Sequence, residues 1–464
     1  MSSPPISPEQ LAALPPEVRV VVQAIIDHYE RRIADLEAEI ARLKKTPRNS
    51  SLPPSSEHPH AKPPAERPKS KKQRGGQPGH EKHERVLIPS EQCAQVVACK
   101  PDCCRRCGRK LRGHDPVPLR HQVWDVPPIE PQVSEYQLHR LPCPCGVTTC
   151  AQLPPGVPRG QAGPRLIALV ALLMGCFRQS KRRVALFLEQ VLNQPCSPGW
   201  VVKLQNQATA ALRPAYEELA AQLPDQERLG IDETPTKQGP DKGWLWTCVA
   251  ATFTVFTIRT TRAATVLTEL LGVAYGGVVN CDRAKMYYSQ SRLQWCWAHL
   301  KRDFQALVDS GDGVKKRLGQ DLLRPTRKLF QLRARYRDGT LTRVGFERLM
   351  KPIREEIDAL LLRGAFAGIG MAEELWKHRD WLWTFVKVEG VEPTNNASER
   401  ALRHAVIWRK LSFGTQSESG SRFVETLLTI VETCRQQSRP VFAFITHAVQ
   451  AQLIGHPTPT LAEV

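Results

Sequence analysis

Apolar residues recur at helical spacing from residue 18 to 45. Ile26, Ile33 and Ile40 fall on one heptad position; Val22, Tyr29, Leu36 and Leu43 fall on the other. Asp27, Glu30, Arg31, Arg32, Asp35 and Glu37 fill the flanks. Ile at the first position with Leu at the second favours a parallel two-stranded coiled coil. A helix packed on its own chain is the other reading of so short a run. From Thr46 to about Ser90 the periodicity stops, and Pro, Ser, Lys and His dominate. Such a segment buries too little apolar surface to order itself. Helical spacing returns between residues 160 and 224. It predicts helices over Leu166–Phe177, Lys181–Leu192 and Ser197–Leu212, the last opening on Ser197 as N-cap and Pro198 at the first helical position.

Strand patterns begin at Glu227. Arg228–Asp232, Gly243–Ala250 and Thr254–Arg259 read as a meander whose second turn is a hairpin. A helix over Arg262–Leu271 follows, then strands over Gly276–Asp282 and Arg292–Trp297. Three meandering strands, a helix and two alternating strands is the order of a ribonuclease-H-like α/β domain. From Ala298 to about Val388 the pattern is helical and highly charged, a large insertion ahead of a helix that opens at Asn395-Asn396.

Composition narrows the partner. The chain has 464 residues, 41% of them hydrophobic, with 65 Lys+Arg against 46 Asp+Glu and a formal net charge of +19. That excess favours a polyanion, most simply nucleic acid. An anionic membrane surface is the rival, but no lipidation signal is present. Leu166–Phe177, the longest apolar run, is well short of the roughly 20 residues a bilayer demands. The opening Met1-Ser2-Ser3-Pro4-Pro5 lacks a signal-peptide pattern, so a cytoplasmic protein is expected. Its 14 cysteines are then thiols or metal ligands rather than disulfides. Between Lys44 and Arg74 lie nine Lys/Arg and two Glu. Lys69, Lys71, Lys72 and Arg74 belong to this arm, which reads as a phosphate-neutralising segment or a solvated linker.

Two short cysteine turns stand out. Cys104-Arg105-Arg106-Cys107-Gly108 is one, and Cys143-Pro144-Cys145-Gly146 the other. Four thiolates from two such turns suit one structural Zn²⁺ in tetrahedral geometry. The second pair is one residue short of the usual spacing, so Cys150, Cys103, Cys99 or Cys93 are alternative ligands. Scattered thiols with no metal are the bland reading. The chain thus divides into a coiled-coil helix over 1–46, a basic linker over 47–90, a zinc-binding domain over 91–155 and a helical domain over 156–224. A catalytic domain over 225–410, with a helical insertion at about 300–390, and a C-terminal helical element over 411–464 complete it.

Three acids carry the chemistry. Asp232 and Asp282 end apolar strands that are neighbours in this fold order, and Glu399 comes from the later helix. Two Mg²⁺ (or Mn²⁺) ions about 4 Å apart activate a nucleophile, stabilise a leaving oxygen and neutralise phosphate charge, and few carboxylates suffice to hold them. Glu233, next to Asp232, is expected on the opposite face. Glu373, Glu374 and Asp380 are the reserve candidates for the third acid. Arg403 shares a helix face with Glu399, either orienting it or contacting phosphate. Cys296 and His299 suggest another metal or a DNA contact; a packed helix start explains them equally well.

On these motifs the chain resembles the bacterial insertion-sequence-66 family of DDE-type transposases. Asn49-Ser50-Ser51 with Pro53-Pro54-Ser55-Ser56 is similar to its linker, and Arg74-Gly75-Gly76-Gln77-Pro78-Gly79-His80 to its N-terminal motif. Gly230-Ile231-Asp232-Glu233-Thr234, Cys281-Asp282-Arg283-Ala284, Cys296-Trp297-Ala298-His299-Leu300-Lys301-Arg302 and Asn395-Asn396-Ala397-Ser398-Glu399-Arg400-Ala401-Leu402-Arg403 resemble its catalytic segments, with Arg409-Lys410 following as further DNA contacts. Cys143-Pro144-Cys145 departs from the family's C-x-x-C. The resemblance implies a zipper, a zinc-binding domain, a catalytic domain, and cut-and-paste or copy-type transposition. Terminal repeats, target DNA and small accessory proteins would be partners, in the cytoplasm at the nucleoid. A catalytically decayed or non-catalytic zinc-containing DNA-binding regulator is the alternative, and a nuclease without strand transfer another.

Overall fold

The computed structural model describes residues 11–43 and 85–462. The linker residues 47–84, with Lys69, Lys71, Lys72 and Arg74, lie outside them. Helix α1 (Pro16–Leu43) covers the heptad segment. Its Ile25, Tyr29, Ile33 and Leu36 are exposed, and Val22 and Ile26 half-buried. The side chains of Ile40 and Leu43 lie outside the described set. No described helix is long and apolar enough to cross a membrane.

Residues 85–157 are largely irregular and exposed, with one antiparallel hairpin, β1 (Arg140–Pro142) and β2 (Thr148–Cys150). Three helices follow: α2 (Pro164–Gly175), α3 (Lys181–Leu192) and α4 (Pro198–Ala221). Ser197 caps α4 as expected, accepting the Trp200 N–H at 3.2 Å. The helix runs past the expected end at Leu212 and through Pro214. Its buried stripe explains this, since Ala208, Ala211, Leu212, Ala215, Tyr216 and Leu219 keep helical spacing throughout.

The core is a five-stranded sheet of β3 (Arg228–Gln238), β4 (Asp241–Val249), β5 (Thr254–Arg259), β6 (Val278–Cys281) and β7 (Leu293–Trp295), in the order β5-β4-β3-β6-β7. β3, β4 and β5 are antiparallel, and β3, β6 and β7 parallel. The crossover helix α5 begins at Thr265 and ends at Leu271, leaving Arg262 in the loop before it. The insertion is helical: α6 (Trp297–Asp309), α7 (Gly313–Arg337), α8 (Arg343–Phe366), α9 (Gly370–Lys377) and the short α10 (Thr384–Lys387). Then come α11 (Asn396–Ser412), α12 (Glu418–Gln436) and α13 (Val441–Leu453). α12 and α13 pack on α2 and α4.

Both sheet edges are covered through side chains. Along β5 the amides of Thr254, Phe256 and Ile258 donate to Thr433 Oγ1, Thr429 Oγ1 and Glu425 Oε1, at 3.2, 2.9 and 2.6 Å. Every second strand residue meets every fourth helix residue. The match is geometric: two strand residues advance about 6.7 Å and four helical residues about 6.0 Å. An edge that would otherwise template another strand is thereby closed. At the far edge, buried Gln294 accepts the Phe385 N–H at 2.8 Å and donates to Leu382 O at 3.3 Å. Trp297 Nε1 donates to the same carbonyl at 2.7 Å. The insertion therefore returns to the strand from which it left.

Thr429→Val keeps shape but removes the acceptor for the Phe256 amide. Urea denaturation is expected to show a loss of about 1–3 kcal/mol, the cost of a buried orphan donor, with Thr429→Ser losing less. Equal stability of the Val variant and the wild type would show that the edge bonds carry no weight.

Candidate active site

Pairing sets the two aspartates level. β3 and β6 run parallel with Gly230 opposite Asn280, and two residues further along both chains stand Asp232 and Asp282. The expectation that β3 stops at Asp232 is corrected. β3 continues to Gln238, paired with β4 alone, while β6 ends at Cys281. Asp232 therefore lies where β3 leaves its parallel partner. Pro235 is tolerated in the continuation because its carbonyl faces away from β4, towards Arg409, and its nitrogen, on the same edge, is not called on to donate to the ladder. Asp232 Oδ1 accepts the Glu233 N–H at 3.0 Å, and Asp282 Oδ1 the Ala284 N–H at 2.8 Å.

α11 delivers Glu399 in its first turn. Gly230 lets it come close: a Cβ there would collide with Ser398 Oγ and lie 3.0 Å from Asn395 Oδ1. Asn395 Nδ2 donates to Ile231 O at 2.7 Å, and Asn280 Nδ2 to Glu392 O at 2.7 Å and Thr394 O at 3.2 Å. Trp297 N donates to Pro393 O at 2.9 Å. Two buried asparagines thus clamp the helix start to β3 and β6. Sequence reading missed Gly230, Asn280 and Asn395 in this role. The available signal was their placement, each within four residues of an acid already singled out.

Electrostatics separates Asp232 and Glu399 from ordinary surface charges. Burial pushes the Asp232 carboxyl well above its usual range, and Glu233, Asp282 and Glu399 push it the same way. Burial also raises Glu399, with Arg302 and Arg403 pulling it down. Among the described residues no cation lies within 4.0 Å of Asp232 or Asp282, whereas Glu399 has His299 Nδ1 at 3.6 Å and Arg302 Nη2 at 3.8 Å. Half-buried carboxylates facing one another, with backbone donors only on the two aspartates, have acceptor capacity to spare. That donor set fits a hard divalent cation with oxygen ligands. No choice of one oxygen from each of the three acids brings all three within 4.8 Å of one another.

Glu233 takes the opposite face. Arg262 Nε donates to its Oε1 at 2.7 Å and the Tyr287 hydroxyl to its Oε2. The reserve acids have other partners: Glu374 binds Arg283 at 2.7 Å and Tyr288 at 2.5 Å, and Asp380 binds Arg354 and Lys387, each at 3.1 Å. Glu373 is exposed. Arg403 and Lys410 are exposed too. Arg409 binds Thr234 Oγ1 at 3.0 Å and the Pro235 carbonyl, acceptors offered by the free edge of β3 beyond β6.

Cys296, His299 and Glu399 form the one group of three metal-competent side chains within 4.8 Å among the described residues. Cys296 Sγ accepts the Asn395 N–H at 3.2 Å, and burial pushes its thiol up to about 11. Burial and then Arg302 hold His299 down at about 4, so it is neutral at pH 7. His299 Nδ1 and Glu399 Oε1 are both buried without a hydrogen bond, each aimed at the other.

Four other cysteines sit in two short turns, Cys104/Cys107 and Cys143/Cys145. Gly108 N donates to Cys104 O, and Gly146 N to Cys143 O, both at 2.9 Å, with Gly108 and Gly146 at positive φ. The backbone N–H of Arg106 points at Cys104 Sγ from 3.4 Å. Backbone donors lower the thiol pKa of Cys104, chiefly Arg106, and of Cys145, chiefly Val147. Cys104/Cys107 and Cys143/Cys145 do not converge, however, on one group of three or more ligand atoms within 4.8 Å. Each turn is compact by itself; the segment between them has almost no core to hold them together.

The pattern described as the Transposase IS66 family matches residues 159–422. A family of unknown function (DUF6444) matches residues 5–86. The uncharacterized protein y4hP of Sinorhizobium fredii (strain NBRC 101917 / NGR234) is 26% identical over 355 residues, covering 66% of this chain. The chain spans 62% of that relative's length. The first match takes in more than half of the chain, including the sheet, both aspartates, the insertion and the glutamate helix, and the chain therefore belongs to the IS66 family of transposases.

Proposed function

We propose that this protein binds the ends of its insertion sequence and catalyses metal-dependent strand cleavage and strand transfer, with Asp232, Asp282 and Glu399 as the catalytic acids. The observation that carries the reading is the level register of Asp232 and Asp282, with Glu399 brought over them by a helix that Gly230 admits. The sheet order, an antiparallel meander followed by two parallel strands, supports a ribonuclease-H-like catalytic domain. Two divalent ions, when bound, supply the Lewis acidity that activates a water or 3′-hydroxyl and stabilises the leaving oxygen. The chain's part is to hold the three carboxylates in place. Asp232 and Asp282 are fixed by the strands, and Glu399 by the asparagine clamps. Neutral His299 and cationic Arg302 flank Glu399 and limit the conformations its carboxylate can take.

Other regions extend the proposal. The exposed apolar stripe of α1 supports pairing with a second copy through a parallel zipper. The two cysteine turns, drawn together, would hold one structural Zn²⁺. Lys69, Lys71, Lys72 and Arg74 would neutralise phosphates of terminal-repeat or target DNA, as would Arg403, Arg409 and Lys410 of α11. Small proteins of the same element would assist at the nucleoid. A non-catalytic regulator has no use for two aspartates without a cationic partner beside a third half-buried acid, since burying such charge is costly.

Asp232→Ala, Asp282→Ala and Glu399→Ala are each expected to abolish Mg²⁺-dependent nicking and joining of DNA carrying the element's ends, while end binding persists. Full cleavage by Glu399→Ala would remove that residue from the site. Gly230→Ala tests positioning. A displaced helix is expected to lower cleavage about 100-fold, as an ångström-scale misplacement does, with the circular dichroism spectrum and DNA affinity kept. Normal cleavage would mean that the close approach is dispensable. Metal analysis of protein made with ample zinc is expected to find about one Zn²⁺ per chain, lost on Cys104→Ser. Finding none would leave the thiols as plain cysteines.

A further inference from the structure

The positive charge of the described chain is concentrated on one helix of the insertion. α7 carries nine Lys/Arg and a single acid, Asp321, and so a net eight of the chain's +19. Its neighbour α8 carries five Lys/Arg and four acids, the balance of an ordinary solvated helix. Packing fixes which side of α7 looks outward. Gly319 lies against α6, where an added Cβ would sit 2.6 Å from Phe304 O, and Leu318, Leu322 and Leu329 are buried. Arg317, Arg324, Lys328 and Arg335 stand roughly 140–180° around the helix from Gly319, at about 100° per residue. All four are exposed. They form a line about 27 Å long at about 1.5 Å per residue, flanked by exposed Arg327.

Neighbouring acids do not account for this line. Arg324 pairs with Glu356 at 2.8 Å, and Asp321 is taken by Arg363 at 2.5 Å. Among the described residues, Arg317, Arg327, Lys328 and Arg335 have no ion pair within 4.0 Å. Helix stability accounts for Arg335, in the last turn where the dipole favours cations, but not for the cations at the other end. Lys315, Lys316 and Arg317 sit near the N-terminus of α7, where the helix dipole disfavours cations; the N-cap Asp312 meets only Lys315, at 3.8 Å.

We propose that the outward face of α7 is a second nucleic-acid surface, binding the phosphate backbone of duplex DNA without regard to sequence. The proposal rests on the DNA-processing reading of the acidic site, and it assigns the insertion a part in holding that DNA. A rod of cations matches a polyanion that presents one charge per about 1.7 Å of axis.

The test measures binding of the full-length protein to duplex DNA of unrelated sequence across a salt series. Arg317→Gln with Lys328→Gln is compared with Arg348→Gln and Lys351→Gln, exposed cations of α8, which remove the same charge from a balanced helix. The α7 pair is expected to make the slope of log K against log salt shallower by about two, near 0.9 per lost phosphate contact, and the α8 pair to leave it alone. Equal slopes for both variants and the wild type overturn the α7 surface and leave the acidic-site reading standing. A wild type that binds no DNA at any salt overturns both. Circular dichroism of each variant shows that exposed-site changes leave the fold intact.

Discussion

Holding like charges together at the edge of a protein core is the constraint around which this chain is built. Asp232 lies among Glu233, Asp282 and Glu399, and burial and mutual repulsion both act against its ionised form. A fold left to relax would separate such groups. Here they are kept level by parallel register and by the two asparagine clamps on the helix that brings Glu399. The energy to resist the repulsion comes from the core beneath, where Leu229, Ile231, Val278 and Val279 are almost fully buried. A site that is costly without its ligand gains most from binding one, which is why clustered acids signal function rather than stability.

Glu425 is the instructive contrast. Its side chain is as buried as any in the molecule, yet it accepts the Ile258 N–H at 2.6 Å and faces Arg422 at 2.9 Å, with Arg213 and Arg259 within 4.0 Å. Burial still raises its pKa, but every neighbour opposes that shift. This carboxylate is compensated in place and ties α12 to α4 and the edge of β5. The same chemical group is thus compensated where cations surround it and left with charge to spare where acids do.

The covering of both sheet edges has a functional side. α12 closes β5 with hydroxyls and one carboxylate, and the returning insertion closes β7 through Gln294 and Trp297. The insertion is therefore anchored at both ends to the strand beside the acids. It carries α6, which holds His299 and Arg302 against Glu399, and α7 behind it. Through this attachment α6 and α7 pack together beside the sheet.

Much of this was legible in the sequence. Alternation and helical spacing gave the order of strands and helices, because one buried face leaves a period of two or 3.6 wherever an element packs. Local chemistry gave the Ser197-Pro198 helix start and the opposite faces of Asp232 and Glu233, which depend on neighbours in the chain alone. Tertiary structure decided what depends on distant partners. β3 runs on past Asp232 because β4 pairs with it, which no pattern before Thr234 records. Arg409 turns to β3 because a free edge lies there, and Gly230 matters only because α11 crosses it. The cysteine turns are each written locally, but a common metal site requires that two segments with little core between them meet, and spacing along a chain carries no such instruction.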